Sequence, residues 1–382
     1  MAEAAFHSAG AILTIDLDAL AANYRQLADR AAPAECACNI KADAYGIGIE
    51  RAVVALTRAG ARTFFVAQLS EARRAHAAAP GATVYVLNGL LPGTCDAYSD
   101  RIRPVLGSLP EVEHWAQHCS DRGGNLPAAL HLDTGMNRLG LSPEEARQLA
   151  RRTALFSTFT PCLLMTHFVG SEDRDSPLNA RQIAVFEELR ALFAGIPASV
   201  DNSSGLFLAH PRPNDLVRPG YALYGGNPTP GLPNPMRPVI TLQARIVQLR
   251  HVAAGETVGY NGQWTAPNDR RIATLSIGYG DGYPRSAGWT GDAPRGMVIV
   301  AGVRCPIVGR ISMDLISADV SAVPDPAVVP GDLAEIIGAH ISIDDVGAWG
   351  GTIGYEVLTR LGQRYARHYI GTGADVVTET AG

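Results

Sequence analysis

Several apolar runs in the first two-thirds of the chain end on residues that do chemistry: Lys41, Asp133, His167, Asp201-Asn202-Ser203 and Arg218-Pro219-Gly220. A lysine buried at such a place loses part of its ammonium solvation, so its pKa falls and its amine becomes nucleophilic. That suits a Schiff base with an aldehyde, although a solvent-facing lysine at a strand end has the same letters. Asn202-Ser203-Ser204-Gly205 opens a helical pattern, and its amides and hydroxyls could hold an anion at the helix start. Gly220-Tyr221 follows the last run, where glycine lets backbone approach a ligand closely. A plain serine N-cap and a glycine turn would read alike; taken together, the two segments favour a phosphate. An aldehyde-holding lysine and a phosphate site describe pyridoxal phosphate. Arg218 then lies level with the ring. Its own pKa above about 12 forbids it to hand the pyridine nitrogen a proton. The cofactor is then a weaker electron sink, suited to a short-lived carbanion and a single proton exchange.

These residues need a scaffold that brings strand ends together. The runs 36–41, 63–67, 83–87, 103–106, 128–133, 162–167, 197–201 and 216–218 alternate with helical patterns at 49–59, 70–79, 110–119, 143–152 and 177–193. Eight strands, each but the last followed by a helix-like stretch, fit an α/β fold of the TIM-like (β/α)8 barrel type, whose active site sits at the carboxyl ends of the strands. An open doubly wound sheet is the alternative, because strand count alone does not close a barrel. The stretch 225–238 holds five prolines and reads as a linker. It divides a barrel domain, 1–235, from a C-terminal β-rich domain, 236–382. The second domain carries strands at 238–252, 271–277, 297–300, 307–308, 315–320 and 333–337, and one helix near its end at 355–365. The run 11–17 reads as a strand outside the barrel that pairs with the second domain.

Composition excludes other classes. Among 382 residues, 47 % are apolar and 18 % charged, which rules out a disordered chain. The net charge is −5 with no basic stripe, so nucleic acid and anionic membranes are poor partners. No apolar run reaches the roughly 18 residues of a membrane span. Residues 1–10 carry no Lys or Arg, which argues against a secretory signal, and sparse cysteine favours a reducing cytoplasm. Cys36, Cys38, Cys95, Cys119, Cys162 and Cys305 lack a paired ligand motif, so no metal is expected.

The stretches Asn39-Ile40-Lys41-Ala42-Asp43-Ala44-Tyr45-Gly46, Asp133-Thr134-Gly135-Met136-Asn137-Arg138-Leu139-Gly140, Thr166-His167-Phe168, Asn202-Ser203, Val217-Arg218-Pro219-Gly220, Val258-Gly259-Tyr260, Gly278-Tyr279-Gly280-Asp281-Gly282-Tyr283, Met313-Asp314 and Gly351-Thr352-Ile353-Gly354-Tyr355-Glu356 closely resemble bacterial alanine racemase, in the family's order. The resemblance implies a homodimeric isomerase that interconverts L- and D-alanine and supplies D-alanine for cell-wall peptidoglycan. It implies that Lys41 holds the cofactor's aldehyde and is the base on the D side. Tyr260, from the second subunit, is then the base on the L side. Tyr45, Ser203, Gly220, Tyr221 and Tyr355, beside Asn202, would hold the phosphate. Arg138 would contact the cofactor's phenolic oxygen and the substrate, and Arg218 the pyridine nitrogen. His167 would link Arg218 to Tyr260. Met313 would bind the substrate carboxylate, while Tyr279 and Tyr355 narrow the entrance. Two positions depart from the family. His131 stands where many members carry a lysine whose carbamate orients the arginine, so Arg138 is expected to have a neutral or differently charged partner. Ile47 stands where histidine is frequent. The alternatives are a racemase of serine or a longer amino acid, a barrel-type decarboxylase, and a non-enzymatic pyridoxal-phosphate carrier.

Overall fold

The computed structural model describes residues 8–209, 214–288, 295–372 and 374. They form two units. One comprises Leu20–Ala44 and Gly48–Arg237; the other comprises Tyr45–Ile47, Pro238–Ala374 and the described residues before Leu20.

The first unit is a closed parallel barrel. Cys38–Asn39, Thr63–Val66, Thr83–Val86, Ile102–Leu106, Pro127–His131, Thr160–Met165 and Ala198–Ser199 pair in that order, all parallel. Closure comes from Leu216–Val217. It pairs parallel with Glu35–Cys36, the first half of the strand that continues as Cys38–Asn39. The amides of Glu35, Ala37 and Asn39 each donate at 2.9 Å to the carbonyls of Asp215, Val217 and Pro219. On its other edge the Asp215 amide donates to Ala198 at 2.8 Å. The eighth strand thus joins the seventh to the first, and no edge is left open. Ala37, Phe65, Tyr85, Val105, Ala129, Leu163, Met165 and Leu216 fill the interior. Large rings from two neighbouring strands oppose alanines from others, which is how side chains fill so narrow a lumen. Burying Phe65 alone contributes about 1.5–3 kcal/mol.

The covering helices follow apolar spacing. Ile49–Ala59 buries Ile49, Ala52, Val53, Ala55 and Leu56, one stripe of a 3.6-residue period. It stops at Gly60, which adopts φ 116°, a conformation that favours glycine. After the third and seventh strands the expected helices are replaced by single 3-10 turns, Cys95–Ala97 and Gly205–Phe207. In the second of these, Asn202 Oδ1 accepts the Gly205 amide at 2.8 Å, closing a short turn instead of starting a longer helix.

The second unit is built on Ile240–Val252, a 13-residue strand. Along its first half it pairs with Leu333–Ile337 on one side and Ala11–Asp16 on the other; its second half pairs with Arg270–Leu275, beyond a register shift at Ile246/Gln248. Met297–Val300 and Val303–Pro306 extend the sheet at one end, and Ala366–Ile370 at the other. Ala11–Asp16 alternates buried and half-buried residues, and Leu13 and Ile15 are fully buried. Two differences from the sequence reading concern the end of the chain. The expected helix at 355–365 is only Gly354–Thr359, and Ala366–Ile370 is a strand. A helix also forms at Ile343–Gly350, where the Ser342 hydroxyl and the Asp345 carboxylate cap each other's amides. Ile307 makes only an isolated bridge to Ala318, the strand lying at Val303–Pro306.

Candidate active site

In a parallel barrel every strand delivers its last residue to the same rim. Lys41 follows Cys38–Asn39, His131 ends Pro127–His131, and His167 follows Thr160–Met165. Asn202 and Ser203 follow Ala198–Ser199, and Arg218 follows Leu216–Val217. The rim is strongly cationic. Burial lowers the Lys41 pKa, and the charges of Arg138 and Arg218 lower it further, while Glu71 pulls the other way. The amine therefore has more neutral, nucleophilic form near pH 7 than a free lysine. One fact escaped the sequence reading: of 32 lysines and arginines, Lys41 is the only lysine.

The backbone after Lys41 is unusual. Ala42, Asp43, Ala44 and Tyr45 all have φ between 53° and 55°. A left-handed turn of four side-chain-bearing residues costs on the order of 4–8 kcal/mol. Hydrogen bonds offset part of it. The Ala42 amide donates to Glu71 Oε1 at 2.6 Å, and Asp43 Oδ1 accepts from the Ile49 amide at 3.1 Å and from Arg74 at 2.7 Å. Strain of this kind concentrates at functional sites.

Arg218 is fully buried, and its pKa drops to about 10 through desolvation, with Asp201 opposing the fall. It stays cationic at neutral pH. Its guanidinium donates to Ser199 Oγ and to the Thr166 carbonyl, and lies 5.9 Å from the centre of the Phe65 ring. These hydrogen bonds do not go to the His167 ring. His167 is close enough to be held at a pKa of about 3, by burial first and then by Arg218, Lys41, Arg138 and His131. Burial, followed by Arg218, likewise sets His131 at about 4. Both imidazoles are neutral at pH 7. A clamp holds the His167 segment: Gln182 Nε2 donates to the His167 carbonyl and to Thr134 Oγ1, both at 3.0 Å, and Thr134 meets Thr166 at 2.8 Å.

Ser203 and Gly220 come together. Ser203 Oγ accepts from the Gly220 amide at 3.0 Å and from the Ala222 amide at 3.1 Å. Amides converging on one oxygen form the kind of nest that holds a phosphate oxygen. Asn202 supports the same loop by accepting from Ser171 at 2.9 Å. Tyr221 is buried, and its ring lies where a Cβ on Gly226 would be 2.2 Å from Cε1. Only glycine leaves room for it.

The remaining candidates belong to the second unit. The buried Tyr45 ring lies 6.2 Å from that of Tyr355, tilted by 44°. Tyr279 and Met313 share a corner: the Tyr279 amide donates to Ser312 at 3.1 Å and the Gly280 amide to the Met313 carbonyl at 2.8 Å. Gly278 permits the approach, since a Cβ there would lie 2.3 Å from the Met313 oxygen. Tyr260 stands on a turn between Thr257–Val258 and Trp264–Thr265 and is 65 % exposed. No cluster of His, Cys, Asp and Glu among the described residues could hold a metal ion.

His131 lines a cavity of about 370 Å³ together with Asp133, Arg138 and Glu111. An imidazole cannot form the carbamate that a lysine would form here, and at pKa about 4 it brings no charge at neutral pH. Added bicarbonate is therefore expected to leave the turnover rate unchanged. A rate assay in carbon-dioxide-free buffer with and without bicarbonate checks this, and a clear dependence would contradict it.

Family models for the alanine racemase N-terminal and C-terminal domains match residues 15–228 and 239–369. An alanine racemase of Methylobacterium sp. (strain 4-46) is 58 % identical over 362 residues, covering 94 % of this chain and 98 % of that protein. One from Methylobacterium nodulans is 57 % identical over 364 residues, 95 % of this chain and 97 % of that protein. The crystal structure of alanine racemase from Bartonella henselae with covalently bound pyridoxal phosphate matches with a TM-score of 0.89 at 38 % identity, over 95 % of this chain and all of that one.

Proposed function

Because the chain belongs to the alanine racemase family, we propose that Lys41 and Tyr260 exchange the α-proton of alanine from opposite faces. The activity is the interconversion of L- and D-alanine with pyridoxal phosphate, and the general role of such enzymes is D-alanine supply for peptidoglycan. The residues fit that cofactor: an amine with a lowered pKa stands on the same rim as a nest of amides converging on Ser203. When bound, the cofactor draws electrons from the α-carbon and makes its proton acidic. Lys41, held on the D side, takes or returns that proton at its amine. Tyr260 does the same at its phenol oxygen on the L side. A single base would return each proton to the face it came from; two bases make inversion the ordinary outcome.

Arg218 and Arg138 supply fixed positive charge, the first at the cofactor's ring nitrogen and the second at its phenolic oxygen and the substrate. Ser203, Gly220, Tyr221, Tyr45 and Tyr355 hold the phosphate, with Asn202 keeping the Ser203 loop in shape. Met313 binds the substrate carboxylate, and Tyr279 with Tyr355 restricts the pocket to a small side chain. Tyr260 serves the site of a second copy, so the working form is a homodimer. Its exposure of 65 % in the single chain supports this, because a phenol recruited as a base needs an enclosed partner surface. Six cysteines, none in a disulfide, support a reducing cytoplasm. No helix among the described residues is long and apolar enough to cross a membrane.

The observation that carries this reading is the neutral-leaning Lys41 amine among Arg138 and Arg218. Protein loaded with pyridoxal phosphate and given L-alanine in heavy water should produce D-alanine deuterated at Cα. Lys41→Ala should produce none. A loaded protein that neither deuterates nor inverts alanine would refute the reading, and serine, lysine and arginine would be scanned next.

A further inference from the structure

Lys41 is attached to a backbone that most sequences avoid, and one carboxylate reaches across to hold it. Glu71, in the first turn of Leu69–Ala78, accepts three amides. Oε1 takes Ala42 at 2.6 Å, while Oε2 takes Ala67 at 2.9 Å and Gln68 at 3.1 Å. Ala42 is the first residue of the left-handed turn and the residue bonded to Lys41. Ala67 and Gln68 lie just beyond the neighbouring strand, Thr63–Val66. The carboxylate therefore ties the rim ends of two adjacent strands together at the point where the amine leaves the barrel. We infer that Glu71 is a positioning residue for Lys41, acting through the Ala42 amide to fix the direction of the lysine side chain. This rests on the reading of Lys41 as the residue that holds the cofactor.

The charges point the same way. The groups facing Lys41 are Arg138, Arg218, the neutral His167, and Glu71, the one anion among them. Glu71 limits how far the cations depress the amine. Neither duty can be passed to a neutral side chain. An amide at position 71 keeps one acceptor for Ala42 but turns an N–H group toward the Ala67 and Gln68 amides, which have none to accept.

The single lysine makes the test clean, because an amine reagent can mark only Lys41 and the chain's α-amine. Apoprotein is labelled with trace acetic anhydride across pH 6–11, and the Lys41 peptide is quantified by mass. In Glu71→Gln the titration midpoint of Lys41 is expected to fall by about half to one pH unit. Amide exchange over residues 42–45 should quicken at least tenfold. In the cofactor-loaded enzyme, kcat should fall about tenfold to a hundredfold with KM little changed, the cost of a misplaced amine. Glu71→Asp keeps the charge on a shorter arm, so its midpoint should stay near wild type while exchange still quickens. That split separates charge from tether, and it stands in for Glu71→Gln if that variant does not fold. Unchanged exchange and kcat in both variants overturn the inference for Glu71 alone. If borohydride reduction of the loaded wild type leaves no label on Lys41, the reading of Lys41 fails, and the inference with it.

Discussion

Mixing two inactive variants, Lys41→Ala and Tyr260→Phe, is expected to restore about a quarter of the wild-type rate. Each variant alone should lose at least a thousandfold, at the upper end of what a general base contributes. The arithmetic follows from two-fold symmetry. In the proposed homodimer each site takes Lys41 from one copy and Tyr260 from the other. Random reassembly makes about half the dimers mixed. A mixed dimer has one site with both defects and one with neither. Half the dimers at half their sites is a quarter of the activity. The exposed Tyr260 is the structural reason to expect it. Activity of the mixture after dilution, brief partial unfolding and reassociation is the measurement. If the mixture stays inactive while size-exclusion and tagged pull-down show that mixed dimers form, Tyr260 does not cross between subunits.

The second large effect is on stability. His131 and His167 fold at pKa about 4 and about 3, against 6.5 when unfolded, chiefly because both are buried and secondarily because Arg218 faces them. Between these values the unfolded chain binds protons that the native chain refuses. Stability therefore rises with pH through this window. The contribution is whole above about pH 6.5 and is lost as pH falls toward 4 and then 3. Two such groups give a slope of up to about 2.7 kcal/mol per pH unit, so pH 4.5 should cost on the order of 5 kcal/mol relative to pH 7.5. Urea unfolding of the apoprotein across this range measures the slope. The double variant His131→Asn/His167→Asn should show most of that slope removed. An unaltered slope in the double variant would mean that carboxylates, not these imidazoles, govern acid unfolding.

The barrel was legible because its strands are short apolar runs with polar last residues, and because proline and serine mark its helix starts. Ser108 before Leu109–Asp121 and Ser142 before Pro143–Ala150 are such caps. Helix Leu17–Ala31 was missed for the converse reason. It follows Ala11–Asp16 without a glycine or proline, and only Asp16, which accepts the Ala19 amide at 2.8 Å, marks the change of period. At the end of the chain, Gly362 and the Arg364–Asp281 ion pair interrupt what read as one helix, and the next residues join the sheet. The Ser342-to-Asp345 spacing marks the start of Ile343–Gly350 in the same way as the barrel's serine caps. In the site, residues with chemical side chains at strand ends stood out. Glu71, Ser199 and Gln182 did not, because they act on backbone or on other side chains, and nothing in their types sets them apart from ordinary caps and core polar residues.

The placing of Ala11–Asp16 has a consequence for the order of biosynthesis. This strand lies between Ile240–Val252 and Ala366–Ile370, both made long after it. Leu20–Ala44 and Gly48–Arg237 can close the barrel as soon as residue 237 clears the ribosome. Ala11–Asp16 gains Ile240–Val252 on one edge first, and its other edge waits some 350 residues for Ala366–Ile370. Until then that edge of the second unit stays open, the kind of segment chaperones cover. A chain cut short before Ala366 would carry a sound barrel and an open edge.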